Sequence, residues 1–168
     1  GQITAGGNSD SLGVTFTVDT AGNYASMSGQ RVNVVSNFDN VSSTALIINA
    51  SGAAYNAAVG STTPTPVTLA NQRVGDNRSQ ILTVNNTAAA GLFSEALNAS
   101  FSGSTGAATT NGGSFTNLAA GSANTSALSV GIATSSAGAK SGSVTLAYQS
   151  DGTGSNGNSG LAAIAAGS

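Results

Sequence analysis

The chain contains no histidine and no cysteine. Those two absences together remove the Ser-His-Asp and Cys-His nucleophile arrangements, thiolate metal sites and imidazole acid–base chemistry. No disulfide can staple the fold. Charge is the next scarcity: Asp, Glu, Lys and Arg make up 6% of the residues, against about 25% in an average soluble domain. The net charge is −2. Arg31, Arg73, Arg78 and Lys140 cannot supply the basic stripe that neutralises phosphates, nor a polybasic patch for anionic lipid. Nucleic acid is therefore excluded as a partner. Aromatic residues are only 5%. No apolar run approaches the roughly 18 residues of a membrane helix, so no membrane span is expected.

What is present is Ser, Thr, Asn, Gly and Ala, with Val, Ile and Leu in short runs. This composition is one associated with secreted bacterial surface proteins, whose solubility rests on hydroxyls and amides. The chain opens Gly1-Gln2-Ile3-Thr4, without an initiator Met or a leader-like segment, which suggests a mature product or an excised piece.

Period-two alternation dominates. Leu12, Val14, Phe16 and Val18 share one face of an expected strand. Val32 and Val34, the run Ala45-Leu46-Ile47-Ile48, then Ile81 to Val84, Leu97 to Phe101, Leu128 to Ile132 and Val144 to Tyr148 read as further strands. Between them lie turn formers: Asp76-Asn77, Asn111-Gly112-Gly113 and Asp151-Gly152-Thr153-Gly154. Helical signals are poor, with Ala88 to Ala90 and Glu95 to Leu97 the only candidates for a turn of helix. Short strands and frequent turns predict an all-β sandwich or barrel.

Leu12 to Gly22 aligns with Leu128 to Gly138 without gaps, matching Leu, Val and Ala-Gly positions. Beyond a length change, Gly29 matches Gly142, Val32 matches Val144, Val34 matches Leu146 and Asp39 matches Asp151. A repeat of that span is a whole domain. The expected organisation is the C-terminal half of a repeat over 1–57, a linker over 58–64, and a fuller sandwich over 65–168 that lacks a strong last strand.

Pro66 to Gly75, followed by Ser79 to Thr87, resembles the opening of Ig-like domains of the ASPM/SPD-2/hydin type, with a Val-Gly turn and a strand closing on Asn. Phe93 to Phe101, Ser129 to Ile132, Ala137 to Gly142 and Ser150 to Gly154 resemble the bacterial choice-of-anchor D domain of exported proteins. The resemblance implies an Ig-like antiparallel β-sandwich at the cell surface and carries no catalytic residues.

Carboxylate-pair hydrolysis is the remaining enzymatic route, since two acids across a cleft suffice. The candidates Asp10, Asp19, Asp39, Asp76, Glu95 and Asp151 fall mostly in predicted turns, where Asp bonds nearby N–H groups, and no enzyme is expected. Asp151, Asn156 and Asn158 offer one carboxylate and amide oxygens on a glycine-rich loop, the candidate for a weak calcium site, although calcium usually draws six to eight oxygens. Asp39-Asn40 occupies the matching loop of the other copy. Gly103 to Gly106 lacks the Lys of a phosphate loop and reads as a hairpin turn. Tyr148 reads as a core or corner residue.

The more informative feature is an edge. A sandwich missing a strand exposes backbone donors and acceptors that soluble proteins usually blunt with Lys, Pro or bulges. Ala45, Leu46, Ile47 and Ile48, with Leu161 and Ile164, are the expected self-assembly edge, joined by strand addition between copies. The leading expectation is an extracellular structural module whose partners are copies of itself or adjacent Ig-like repeats. The alternative is an adhesive module for a glycan or other ligand, which would need an exposed aromatic cluster in one groove.

Overall fold

The computed structural model describes residues 17–24 and 51–154, and the strand backbones at 31–32, 46–47 and 161–164. No helix occurs among them. The N-terminal strands are β1 (Gly22–Tyr24), β2 (Arg31–Val32), β3 (Leu46–Ile47) and β4 (Gly52–Ala54). Then follow β5 (Gly60–Thr63), β6 (Ser79–Ile81), β7 (Thr83–Asn86), β8 (Ala96–Gly106) and β9 (Ala108–Thr110). The last are β10 (Ser114–Leu118), β11 (Ala123–Asn124), β12 (Ser129–Ile132), β13 (Gly142–Asp151) and β14 (Leu161–Ile164).

All ladders between these strands are antiparallel. The largest sheet has the order β10-β8-β13-β14, and two three-stranded sheets run β11-β7-β5 and β6-β12-β9. β1 pairs with β4 and β2 with β3. The long β8–β13 ladder runs from Gly106↔Gly142 to Ala96↔Asp151, with a register shift that leaves Ser102 as the extra residue. Such a bulge bends the strand and increases its twist.

The core follows from alternation. Val84 and Asn86 of β7, and Leu97 and Ala99 of β8, point inward while their neighbours are half-exposed. Val84, Leu97, Ala99 and Tyr148 join Leu82, Leu128, Val130 and Ala58 in one apolar cluster. This cluster is shared by the four-stranded sheet and both three-stranded ones.

Two places let the chain change sheets. At Leu82 the run Ile81 to Val84, expected as a single strand, splits between β6 and β7, and the Leu82 N–H donates to Leu128 O at 2.9 Å. At Gly106 the chain passes from β8 to β9 with φ +64°, and a Cβ there would stand 2.5 Å from Ser141 O. Only glycine accepts both that backbone angle and that approach.

Several expectations are corrected. Residues 58–64 are no linker: Ala58 is buried and β5 pairs along its length with β7. The reason is the close fit of small residues beneath Tyr148, which composition does not reveal. Gly103 to Gly106 is no hairpin turn but the paired end of β8. Glu95 to Leu97 opens into β8, not a turn of helix, because Leu97 is drawn into the core. The weak last strand is present as β14, paired with Tyr148 to Asp151. Tyr148 is buried in the core and Val74-Gly75 forms a turn, both as read. Of the strand expected from Leu12, Leu12 to Phe16 lie outside the described residues, and Thr17 and Val18 take no strand.

Candidate functional site

The loop after β13 is built around Asp151. Its Oδ1 accepts hydrogen bonds from the Thr153 N–H at 2.9 Å and the Thr153 hydroxyl at 2.5 Å. Its Oδ2 accepts from Asn98 Nδ2 at 2.9 Å, and Asn98 Oδ1 in turn accepts from the Asn117 N–H at 2.8 Å. The Thr153 hydroxyl, then Asn98, then the Thr153 amide hold the Asp151 carboxyl below its ordinary range. Oδ1 thus closes the turn onto Thr153, while Oδ2, through Asn98, links β13 to β8 and β10. A hard cation draws six to eight oxygens. Among the described residues no group of three or more acids or other strong ligands comes together. What is described at Asp151 is a hydrogen-bonded turn. Asn156 and Asn158 lie outside the described residues, as do Asp10 and Asp39 with its neighbour Asn40.

A second polar cluster is buried at the junction between 55–59 and β8. Ser150 is fully buried; its hydroxyl donates to Glu95 Oε2 at 2.6 Å and accepts from the Ala58 N–H at 2.6 Å. Beside it, Asn86 is almost wholly buried. Its Nδ2 donates to Glu95 O and Leu118 O, and its Oδ1 accepts from the N–H groups of Val59 and Ala88. Asn56 completes the junction, donating to Phe93 O and accepting from the Glu95 N–H. An acid beside a hydroxyl suggests a nucleophile, but Ser150 has no surface for a substrate to reach. The cluster is a structural clasp. Sequence reading placed Glu95 among turn-bound acids and missed Ser150; the Asn closing β7 was the one visible signal.

The strand edges differ in protection. β10 carries a bulge between Phe115 and Leu118, with Asn117 at φ 60°. β5 runs directly into Pro64 and Pro66, which have no N–H to offer. β11 has two residues, and β6 is a three-residue strand preceded by Arg78. β14, the outer strand of the largest sheet, is Leu-Ala-Ala-Ile with neither charge nor proline. Leu161 and Ile164 therefore sit on an edge with none of the usual blunting devices among the described residues. Leu46 and Ile47 form β3, whose one partner among the described residues is β2. Ala45 and Ile48 lie outside the described residues.

A groove of about 1180 Å³ opens between the 62–74 segment and the β12–β13 region. Its apolar wall includes Val67, Leu69, Leu82, Val130, Ile132 and Val144, and its charged lining residues are Arg73 and Lys140. Neither cation forms an ion pair among the described residues; Lys140 Nζ donates to Ser136 Oγ at 2.7 Å. No aromatic side chain lines it among the described residues.

No family model, no curated protein and no solved structure matches the chain. The resemblance to choice-of-anchor D and related Ig-like domains rests on the quoted residues alone.

Proposed function

We propose that the chain is a structural module of a bacterial cell-surface or extracellular protein, an Ig-like β-sandwich with a partial second copy, which self-assembles through strand edges. The observation that carries this reading is the outer edge of β14, which has no strand partner among the described residues, in a sheet whose opposite edge, β10, is bulged. Unpaired N–H and C=O groups along an uncharged apolar strand are a template for another strand. Leu46 and Ile47, in an equally uncharged run, are the complementary element. Pairing of one copy's β3 edge with the next copy's β14 edge is heterologous, and repetition of it builds a fibre or layer. The partial repeat supports this arrangement. β2 carries the residue matched to β13 of the fuller copy, and each pairs antiparallel with the apolar run that follows it. Glu95, Asp151 and Asp76 have structural duties, and the chain has no His or Cys, which supports a non-enzymatic role. Calcium has no part in this reading. An adhesive glycan-binding role finds no aromatic platform among the described residues of the groove.

The test is sedimentation velocity across a hundredfold concentration range with wild type and an Ala162→Lys/Ala163→Lys variant. Concentration-dependent assembly in the wild type, lost in the variant with its β-sheet spectrum unchanged, supports the reading. A wild type that stays monomeric throughout overturns it.

A further inference from the structure

The groove is bordered by a segment with the habit of a strand and no partner. From Pro66 to Ala70 exposure alternates, with Val67 and Leu69 half-buried and Pro66, Thr68 and Ala70 exposed. That is the period of a pleated strand with one face toward the core. Val67 packs against the apolar cluster. Yet the backbone groups of Val67 to Asn71 make no hydrogen bond among the described residues. Beside them, Gln72 Oε1 accepts from the Arg78 N–H, while Gln72 Nε2 is buried without an acceptor. Backbone N–H and C=O groups are obligatory hydrogen-bonding groups, so a stretch with two half-buried residues, Val67 and Leu69, and no backbone group satisfied internally is open to strand pairing.

We propose that this groove receives the Leu12–Val18 run of a second copy, added as a strand along Val67–Asn71. The proposal rests on the self-assembly reading above and adds a second contact to it. Leu12, Val14, Phe16 and Val18 recur at period two, so an added strand turns all four toward the groove's apolar wall. Its carbonyls supply the class of acceptor that Gln72 Nε2 lacks. Charge selects the same run. It is flanked by Asp10 and Asp19, and among the described residues the groove's ionisable lining is the cations Arg73 and Lys140, half of the four in the chain. The run does not fill its own chain's groove at its described end: Val18 is 45% exposed and is not among the lining residues. With Val18 off the groove and the backbone of Val67–Asn71 without hydrogen bonds among the described residues, the donor proposed is a second copy.

The experiment adds a fluorescent peptide spanning residues 10–19 to the full-length chain and reads anisotropy together with amide hydrogen exchange. Saturable binding is expected, with slowed exchange at Val67–Asn71. Arg73→Glu/Lys140→Glu should weaken binding about tenfold, as loss of two charge pairs plus new repulsion would do. A peptide with Asp10→Lys/Asp19→Lys should recover affinity for that variant. A scrambled peptide should not bind. Absence of saturable binding, exchange unchanged at Val67–Asn71, or affinity indifferent to the charge reversals overturns the proposal. The two readings fail separately. Assembly lost in Ala162→Lys/Ala163→Lys with no peptide binding removes the groove contact alone. Peptide binding by a chain that stays monomeric removes the assembly reading and with it the second copy as donor.

Discussion

Gly60 lies directly beneath the Tyr148 ring: a Cβ built on it would stand 2.5 Å from Tyr148 Cδ2 and 2.7 Å from Cε2. The Tyr148 hydroxyl hydrogen-bonds the Thr62 hydroxyl on the same strand. β5 thus seats the largest fully buried side chain of the core by offering no side chain at one position and a hydroxyl two residues on.

Gly60→Ala should therefore destabilise the fold by about 1–3 kcal/mol, the usual cost of overpacking. Backbone strain contributes nothing, because Gly60 does not have a left-handed φ. Tyr148→Phe should cost about 1 kcal/mol for the lost hydroxyl contact. Urea unfolding midpoints check both. A Tyr148→Leu background should shrink the Gly60→Ala penalty, since the clash is with the ring.

Asn86 engages four backbone groups from inside the core. Asn86→Leu keeps the branched outline at a larger volume and strands two N–H and two C=O groups, so a loss of about 3 kcal/mol or more is expected. Equilibrium denaturation measures it. A loss under about 1 kcal/mol would mean that water replaces the amide, and the clasp would not be structural.

Gly106 and Gly154 make a matched pair. Gly106→Ala meets both a left-handed φ and the Ser141 carbonyl, and should cost about 2–4 kcal/mol. Gly154 has neither constraint, so Gly154→Ala should stay within about 0.5 kcal/mol of wild type. Thermal unfolding of the two variants side by side separates them.

Asp151 predicts a pH dependence with a definite sign. Its folded carboxyl is held below the ordinary value of 3.8, by the Thr153 hydroxyl first and Asn98 second. The unfolded chain then binds the proton more readily than the folded one, and stability from this group is fully present above the ordinary value. It is lost as pH falls through the lower, folded value. Asp151→Asn should flatten the stability profile below about pH 4 and leave its slope near neutrality unchanged. Denaturation at a series of pH values from 7 to about 2 tests this, and an unchanged acid slope would reassign the effect to another carboxylate.

Much of the strand inventory was legible because alternation is a local property of a pleated backbone. Leu97 and Ala99, or Val144 and Leu146, announce a face whatever they pair with. Turn chemistry was legible for the same reason at Val74-Gly75 and Asn111-Gly112-Gly113, where the residues themselves supply the unusual angles or the side-chain bonds. The Ile81 to Val84 run shows where such reading stops, since nothing in four residues says that the chain will change sheets at Leu82. Glu95 and Ser150 show it again: a buried clasp needs two residues far apart in sequence to meet.

By itself the sequence determined the chemical class of this protein. A chain without His or Cys has no imidazole or thiolate chemistry, and four basic residues in 168 form no phosphate-binding stripe, however it folds. Tertiary structure alone decided which backbone groups are satisfied. It turned the expected linker at 58–64 into a paired strand, protected the β10 edge with a bulge, and left Val67–Asn71 and the outer side of β14 without partners among the described residues. The physical reason is that side-chain chemistry is carried residue by residue, whereas hydrogen-bond pairing in a sheet belongs to strands brought together from distant parts of the chain.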